Sequence, residues 1–108
     1  MSNDKFDIDS PEVLIELMKA LGNNVRLRIL YLLSRQPMSV YDLAKHLGLS
    51  YPLTFLHIKQ LKKAGLVEEV ARVEKRGPLP SKLYIARDFN LVINRALILK
   101  IFEGGGDE

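Results

Sequence analysis

The chain has 108 residues, 47% hydrophobic and 27% charged, with a formal net charge of +3 at pH 7. That composition suits one soluble domain with a modest core, and the absence of cysteine excludes disulfides, thiolate metal sites and thiol redox sensing within the chain. The longest strongly apolar run, 96–102, is interrupted by Lys100 and is too short to span a bilayer. Residues 1–10 hold three Asp and no apolar segment, so no secretory leader is expected and a cytoplasmic protein is.

Residues 1–9 are polar and acidic and read as a disordered arm. Ser10-Pro11-Glu12 is a helix start, a cap followed by proline and an acid in the first turn. The first helix is predicted over 11–21, with Val13, Leu14, Leu17, Met18 and Leu21 on its apolar side and Gly22 at its end. Asn23 caps a second helix over 24–35, where Leu27, Ile29, Leu30, Leu32 and Leu33 leave only Arg26, Arg28 and Arg35 as wet positions. Gln36-Pro37 breaks it.

Ser39 and Asp42 form a capping-box-like pair for a third helix over 40–47, apolar at Val40, Leu43, Ala44 and Leu47. Gly48 supplies a left-handed residue, and Ser50 caps a fourth helix over 51–64 with Pro52 in its first turn. Thr54, Ile58 and Leu61 fall at i, i+4 and i+7 and face inward, and Gly65 closes the helix. Two helices around so tight a turn, with the outer face of the second one free, make a helix-turn-helix, a motif that places its second helix in the DNA major groove. Val-rich residues 66–74 and residues 82–87 read as strands joined by a Gly/Pro loop over 75–80. In the second strand Leu83 and Ile85 share one face and Tyr84 takes the other. The fold is mainly α with a small β-hairpin wing, a winged helix-turn-helix in the order helix-helix-helix-helix-strand-strand-helix. Asp88 or Asn90 begins the last helix, over 90–102, and 104–108 is a flexible tail. One domain therefore spans 10–103.

Charge is unevenly spread. From Lys59 to Arg87 eight bases face three acids, while the first twenty residues hold five acids and two bases. Basic charge concentrated on and after the second helix of a helix-turn-helix is the footprint of a phosphate-binding face. The last helix is almost encircled by apolar residues, more than packing on one small domain needs, which points to a two-fold dimer shared with helix 11–21. Leu14, Leu17, Leu91, Ile93, Leu97, Ile98, Ile101 and Phe102 are the expected interface.

The segment LGNNVRLRILYLL at 21–33, with LAKHLGLS at 43–50 and LKKAGLV at 61–67, resembles ArsR-type winged-helix repressors over about residues 10–90. The resemblance implies homodimers that bind operator DNA, with the first and last helices at the interface. The family's metal sensors use Cys pairs in the helix matching 40–47, or His and Asp on the last helix. This chain has neither, so no metal or other cofactor is expected. His46 and His57 are its only histidines, and a site needs three or four ligands. Where the family's recognition helix usually presents Ser, Thr, Gln and His, this one begins SYPLTFLH, and its Leu53, Phe55 and Leu56 suit thymine-methyl contact, a protein-binding surface or the core margin alike.

The expected function is a homodimeric, sequence-specific regulator, a repressor, on double-stranded DNA. Tyr51, Pro52, Leu56, His57 and Gln60 are the candidate base readers. Lys45, Lys59, Lys62, Lys63, Arg72, Lys75, Arg76 and Lys82 are the candidate phosphate contacts, which supply affinity rather than sequence choice. The alternative is a protein-interaction winged helix of the transcription machinery that uses the apolar outer face of 51–64. No nucleophile–base pair, Gly-rich phosphate loop or acid cluster is legible, so an enzyme is not expected.

Overall fold

The computed structural model describes residues 4–70, 75–76, 79–80 and 82–104. Four helices come first: α1 (Pro11–Leu21), α2 (Asn24–Arg35), α3 (Val40–Leu47) and α4 (Tyr51–Lys63). Each begins at the side chain that the sequence marks. Ser10 accepts from the Val13 amide at 3.3 Å, Asn23 from Arg26 at 3.1 Å, Ser39 from Asp42 at 3.1 Å and Ser50 from Leu53 at 3.2 Å. Each bond satisfies an amide that a helix start would otherwise leave unpaired. Gly48 has φ +68° with open space where a side chain would sit, so its requirement is purely backbone.

The wing is antiparallel. β2 (Val67–Val70) pairs with β5 (Leu83–Ala86) in the register Val67–Ala86 to Val70–Leu83. Met38, between α2 and α3, bridges to Tyr84 through two backbone hydrogen bonds of 3.1 and 2.9 Å. The face of β5 that carries Tyr84 is the buried one; Leu83 and Ile85 are half-buried. The expected loop at 75–80 is corrected at its described residues: β3 (Lys75–Arg76) pairs antiparallel with β4 (Leu79–Pro80) in a separate two-stranded ribbon. Residues 71–74, including Arg72, lie outside the described residues.

The core gathers around α2, which packs on α1, α3, α4 and β5. Ile29, Leu43, Ile58, Leu61 and Leu66 are its fully buried centre. Leu27, expected inside, is 50% exposed. The chain contributes to this core at both ends. The expected disorder of 1–9 does not hold for residues 4–9: β1 (Asp4–Lys5) pairs in parallel with β6 (Phe89–Asn90), Phe6 packs on Phe89 with ring centroids 6.3 Å apart, and Ile8 is buried. Phe6 also lies over Gly65, whose φ is +80°; an added Cβ there would meet the Phe6 ring at 3.2 Å. Gly65 thus serves both the turn out of α4 and a close approach.

The last helix is shorter than 90–102. Phe89 and Asn90 are taken by the pairing with β1, and residues 91–94 are irregular. Helix α5 (Arg95–Leu99) starts at Asn94, whose Oδ1 accepts from the Leu97 amide at 2.9 Å, and runs into a π-helical turn, Lys100–Gly104. Two members of the expected interface are corrected in the same way. Leu17 and Ile101 are only 3% and 6% exposed and belong to the protomer's own core.

Candidate nucleic-acid interface

Helix α4 owes its position to three residues. Thr54, Ile58 and Leu61 are at most 1% exposed and seat the helix on the core. The buried Thr54 hydroxyl donates to the Ser50 carbonyl at 2.8 Å, so no polar group is stranded by the seating. The 3.6-residue repeat then directs Pro52, Leu56, Lys59 and Lys63 outward, and all four are exposed. The helix, YPLTFLHIKQLKK, contains no acidic residue, so nothing on it opposes a polyanion.

The two flanks of α4 differ. Toward the sheet lie Tyr51, Phe55 and Lys62. Tyr51 is close enough to Tyr84 to help raise the latter's pKa, after burial and the Glu69 charge. Lys62 Nζ is 3.4 Å from Glu69 Oε1 on β2, with half of the lysine side chain exposed. Such a solvent-facing pair is worth little, but it turns Lys62 toward the wing.

Toward α2 lie His57 and Gln60. Arg26, read from sequence as a wet position, is instead a tie between three helices. Its Nε donates to His57 Nδ1 at 3.1 Å, and its Nη1 donates to the Lys19 carbonyl at 2.9 Å and the Ala20 carbonyl at 3.5 Å. It caps the open carbonyls at the end of α1 while fixing the His57 ring. The bond makes Nδ1 an acceptor, which places the neutral ring's proton on Nε2. Gln60 lines an open cleft of about 660 Å³ with Glu16, Lys19, Arg26 and Lys63. It therefore sits at the edge of the outer face rather than at its centre.

Burial, and next the Arg26 guanidinium, push the His57 pKa below its ordinary 6.5. The unfolded chain then binds more protons at this ring than the folded chain. The stabilisation from the neutral ring is complete above pH 6.5 and is lost as pH falls from 6.5 through the lowered folded value. Wild type should accordingly lose melting temperature on acidification below that pH more steeply than His57→Gln. Parallel profiles would show that His57 does not carry the effect.

Lys45 on α3 is exposed, 5.6 Å above the Tyr41 ring, and Lys82 is exposed beside the wing. Lys75 and Arg76 stand on β3. Lys59 and Lys63 thus share one surface; Lys45, Lys82 and the β3 pair lie on neighbouring elements. Two contributors escaped sequence reasoning, Arg26 and Lys19; Leu53, which flanks the outer face, is 43% exposed. The signal for Arg26 was its place in the first turn of α2, directly after the Gly22 turn, where a long side chain reaches back onto the preceding helix end. His46 Nδ1 lies 3.3 Å from the Asp42 carbonyl of its own helix. Among the described residues no three His, Cys, Asp or Glu side chains gather where a metal could sit, and no helix is long and apolar enough to cross a membrane.

An apolar surface lies elsewhere. On α1, Val13, Ile15 and Met18 are exposed; in the C-terminal segment so are Val92, Ile93, Ile98, Leu99 and Phe102, the last at 70%. Leu14, Leu91 and Leu97 are half-buried against the core.

Residues 23–69 match the family model described as bacterial regulatory protein, arsR family. An uncharacterized HTH-type transcriptional regulator of Methanocaldococcus jannaschii is 38% identical over 89 residues, 82% of this chain and 92% of that protein. A homodimeric winged helix-turn-helix DNA-binding domain from Mycobacterium bovis, a possible ArsR-family regulator, superposes with a TM-score of 0.58 at 28% identity, over 69% of this chain and 64% of that one. An ArsR-like transcriptional regulator from Rhodococcus sp. RHA1 gives 0.57 at 32% identity, over 69% and 63%. With the capped α3–α4 pair, the hairpin behind it and this degree of likeness, the chain belongs to the ArsR family of winged helix-turn-helix transcriptional regulators, and it is not an enzyme.

Proposed function

We propose that the protein is a cytoplasmic repressor that binds specific double-stranded DNA as a homodimer, without a metal. The observation that carries this reading is the outer face of α4, exposed, free of acids and bearing Lys59 and Lys63. In the major groove, Tyr51, Pro52 and Leu56 would stand nearest the base edges, with Gln60 and the His57 Nε2–H at one side. Lys45, Lys59, Lys63 and Lys82 would meet phosphates, joined by Lys62 if its pair with Glu69 opens. Lys75 and Arg76 on β3 would reach the neighbouring backbone, and Arg72, outside the described residues, is a further candidate phosphate contact. The exposed apolar residues of α1 and the C-terminal segment support the dimer, as does the homodimeric state of the similar M. bovis domain.

Lys59→Ala with Lys63→Ala is the direct test. The variant should stay folded and bind duplex DNA more weakly. The slope of log affinity against log salt should flatten by roughly 0.9 for each phosphate no longer neutralised, or about 3–4 for the four lysines of a dimer. Anisotropy titrations over a salt series measure this. Unchanged affinity and slope would remove α4 from the DNA. The exposed apolar residues Tyr51, Leu53, Phe55 and Leu56 would then favour the second reading, a protein-docking winged helix.

A further inference from the structure

In the first two turns of α4 the side-chain hydrogen-bonding groups left for a ligand are two, the hydroxyl of the exposed Tyr51 and the His57 Nε2–H. The Ser50 hydroxyl is spent on the Leu53 amide. Thr54 is wholly buried and bonded to the Ser50 carbonyl. His57 Nδ1 is held by Arg26. The rest of what this end of the helix offers outward is carbon: Pro52, Leu53 at 43% exposure and Leu56 at 54%. Behind this apolar tip, on the same acid-free helix, stand Lys59 and Lys63. Carbon in front of cations fits a polyanion whose inner surface has apolar points, and duplex DNA has one kind in its major groove, the thymine C5-methyl.

Leu53 and Leu56 are three residues apart, which on a helix is about 4.5 Å of rise. That is close to the roughly 3.4 Å between stacked base pairs on one strand, so the two side chains can address neighbouring pairs. We infer that Leu53 and Leu56 choose the target by thymine methyl groups on adjacent base pairs. This rests on the DNA reading of α4 and adds to it the class of site preferred.

The experiment uses the full chain and a random duplex pool. Bound fragments are selected, and the selected site is then remade with deoxyuridine in place of thymine, one position at a time. That change removes a methyl and leaves every donor and acceptor of the base pair in place. Each methyl that the helix touches should be worth about fourfold in affinity, the value of one buried methylene. The sensitive positions should be adjacent. Leu53→Asn with Leu56→Asn should keep its circular dichroism spectrum, bind the selected site more weakly, and bind the thymine and deoxyuridine duplexes equally.

A wild-type ratio near one at every position overturns the inference while leaving the DNA reading intact. So does a methyl preference that persists in the double variant. If wild type binds no duplex even at low salt, the DNA reading itself fails, the methyl inference falls with it, and the apolar tip is a protein-docking face.

Discussion

Replacing Ile58 with Ala should cost about 2–5 kcal/mol of stability, the range for truncating a buried Ile in a well-packed core. Ile58 is 1% exposed and lies between Thr54 and Leu61, both fully buried, on the face that seats α4. Helix α4 packs on α2, α3 and β2, and those neighbours can collapse only in part around the missing carbons. For a domain with a total stability of about 5–15 kcal/mol, this loss sets much of the folded population. DNA binding would fall because fewer molecules are folded, since Ile58 itself faces away from any ligand of the outer surface. Leu56→Ala, two residues earlier on the exposed side, should change stability by no more than about 0.5 kcal/mol. Thermal and urea unfolding followed by circular dichroism compares the two. Equal losses would mean that α4 is seated on a different face.

Ile98→Glu combined with Phe102→Glu should convert dimers to monomers without unfolding the chain. Ile98 and Phe102 are 42% and 70% exposed in the single protomer, so the charges meet water until a partner arrives. A two-fold interface repeats each substitution, placing four carboxylates in one apolar contact. At several kcal/mol for each buried, unpaired charge, the dimerisation constant should weaken by more than about a thousandfold. Sedimentation at tens of micromolar measures the outcome, and a wild-type monomer there would refute the proposed dimer. Changing Ile101 instead would test folding, since it is a core residue. In the dimer the paired recognition helices should address half-sites about 10–10.5 base pairs apart. Footprints lacking two-fold character would contradict that arrangement.

The parts of this fold that sequence makes legible are those decided within a few residues. Ser10, Asn23, Ser39 and Ser50 each cap the helix that follows, and the spacing of Thr54, Ile58 and Leu61 names the buried face of α4. Features decided by distant partners are not legible in that way. Asn90 and Asn94 are equally good caps locally; the pairing of Phe89–Asn90 with Asp4–Lys5 selects Asn94. Arg26 has the composition of a surface residue, and only the adjacent end of α1 and the ring of His57 draw it inward. Leu17 and Ile101 look like any other apolar helix position until the packing of α1 and the C-terminal turn decides which side of each helix the core takes. At the candidate site, the apolar tip of α4 was visible as composition, whereas the engagement of the Ser50 and Thr54 hydroxyls and of His57 Nδ1 within the fold required the hydrogen bonds.

Synthesis runs from the N-terminus, so the parallel pairing of Asp4–Lys5 with Phe89–Asn90 imposes an order in time. The arm leaves the ribosome about 80 residues before its partner strand does. The helices and hairpin can associate before then. The Phe6 and Ile8 positions are filled only when the chain closes on itself, at an entropic cost that grows slowly with loop length and through a long-range contact of the kind that slows folding. Until that closure the nascent regulator carries two uncovered apolar side chains, Phe6 and Ile8, and an unfilled place in its core.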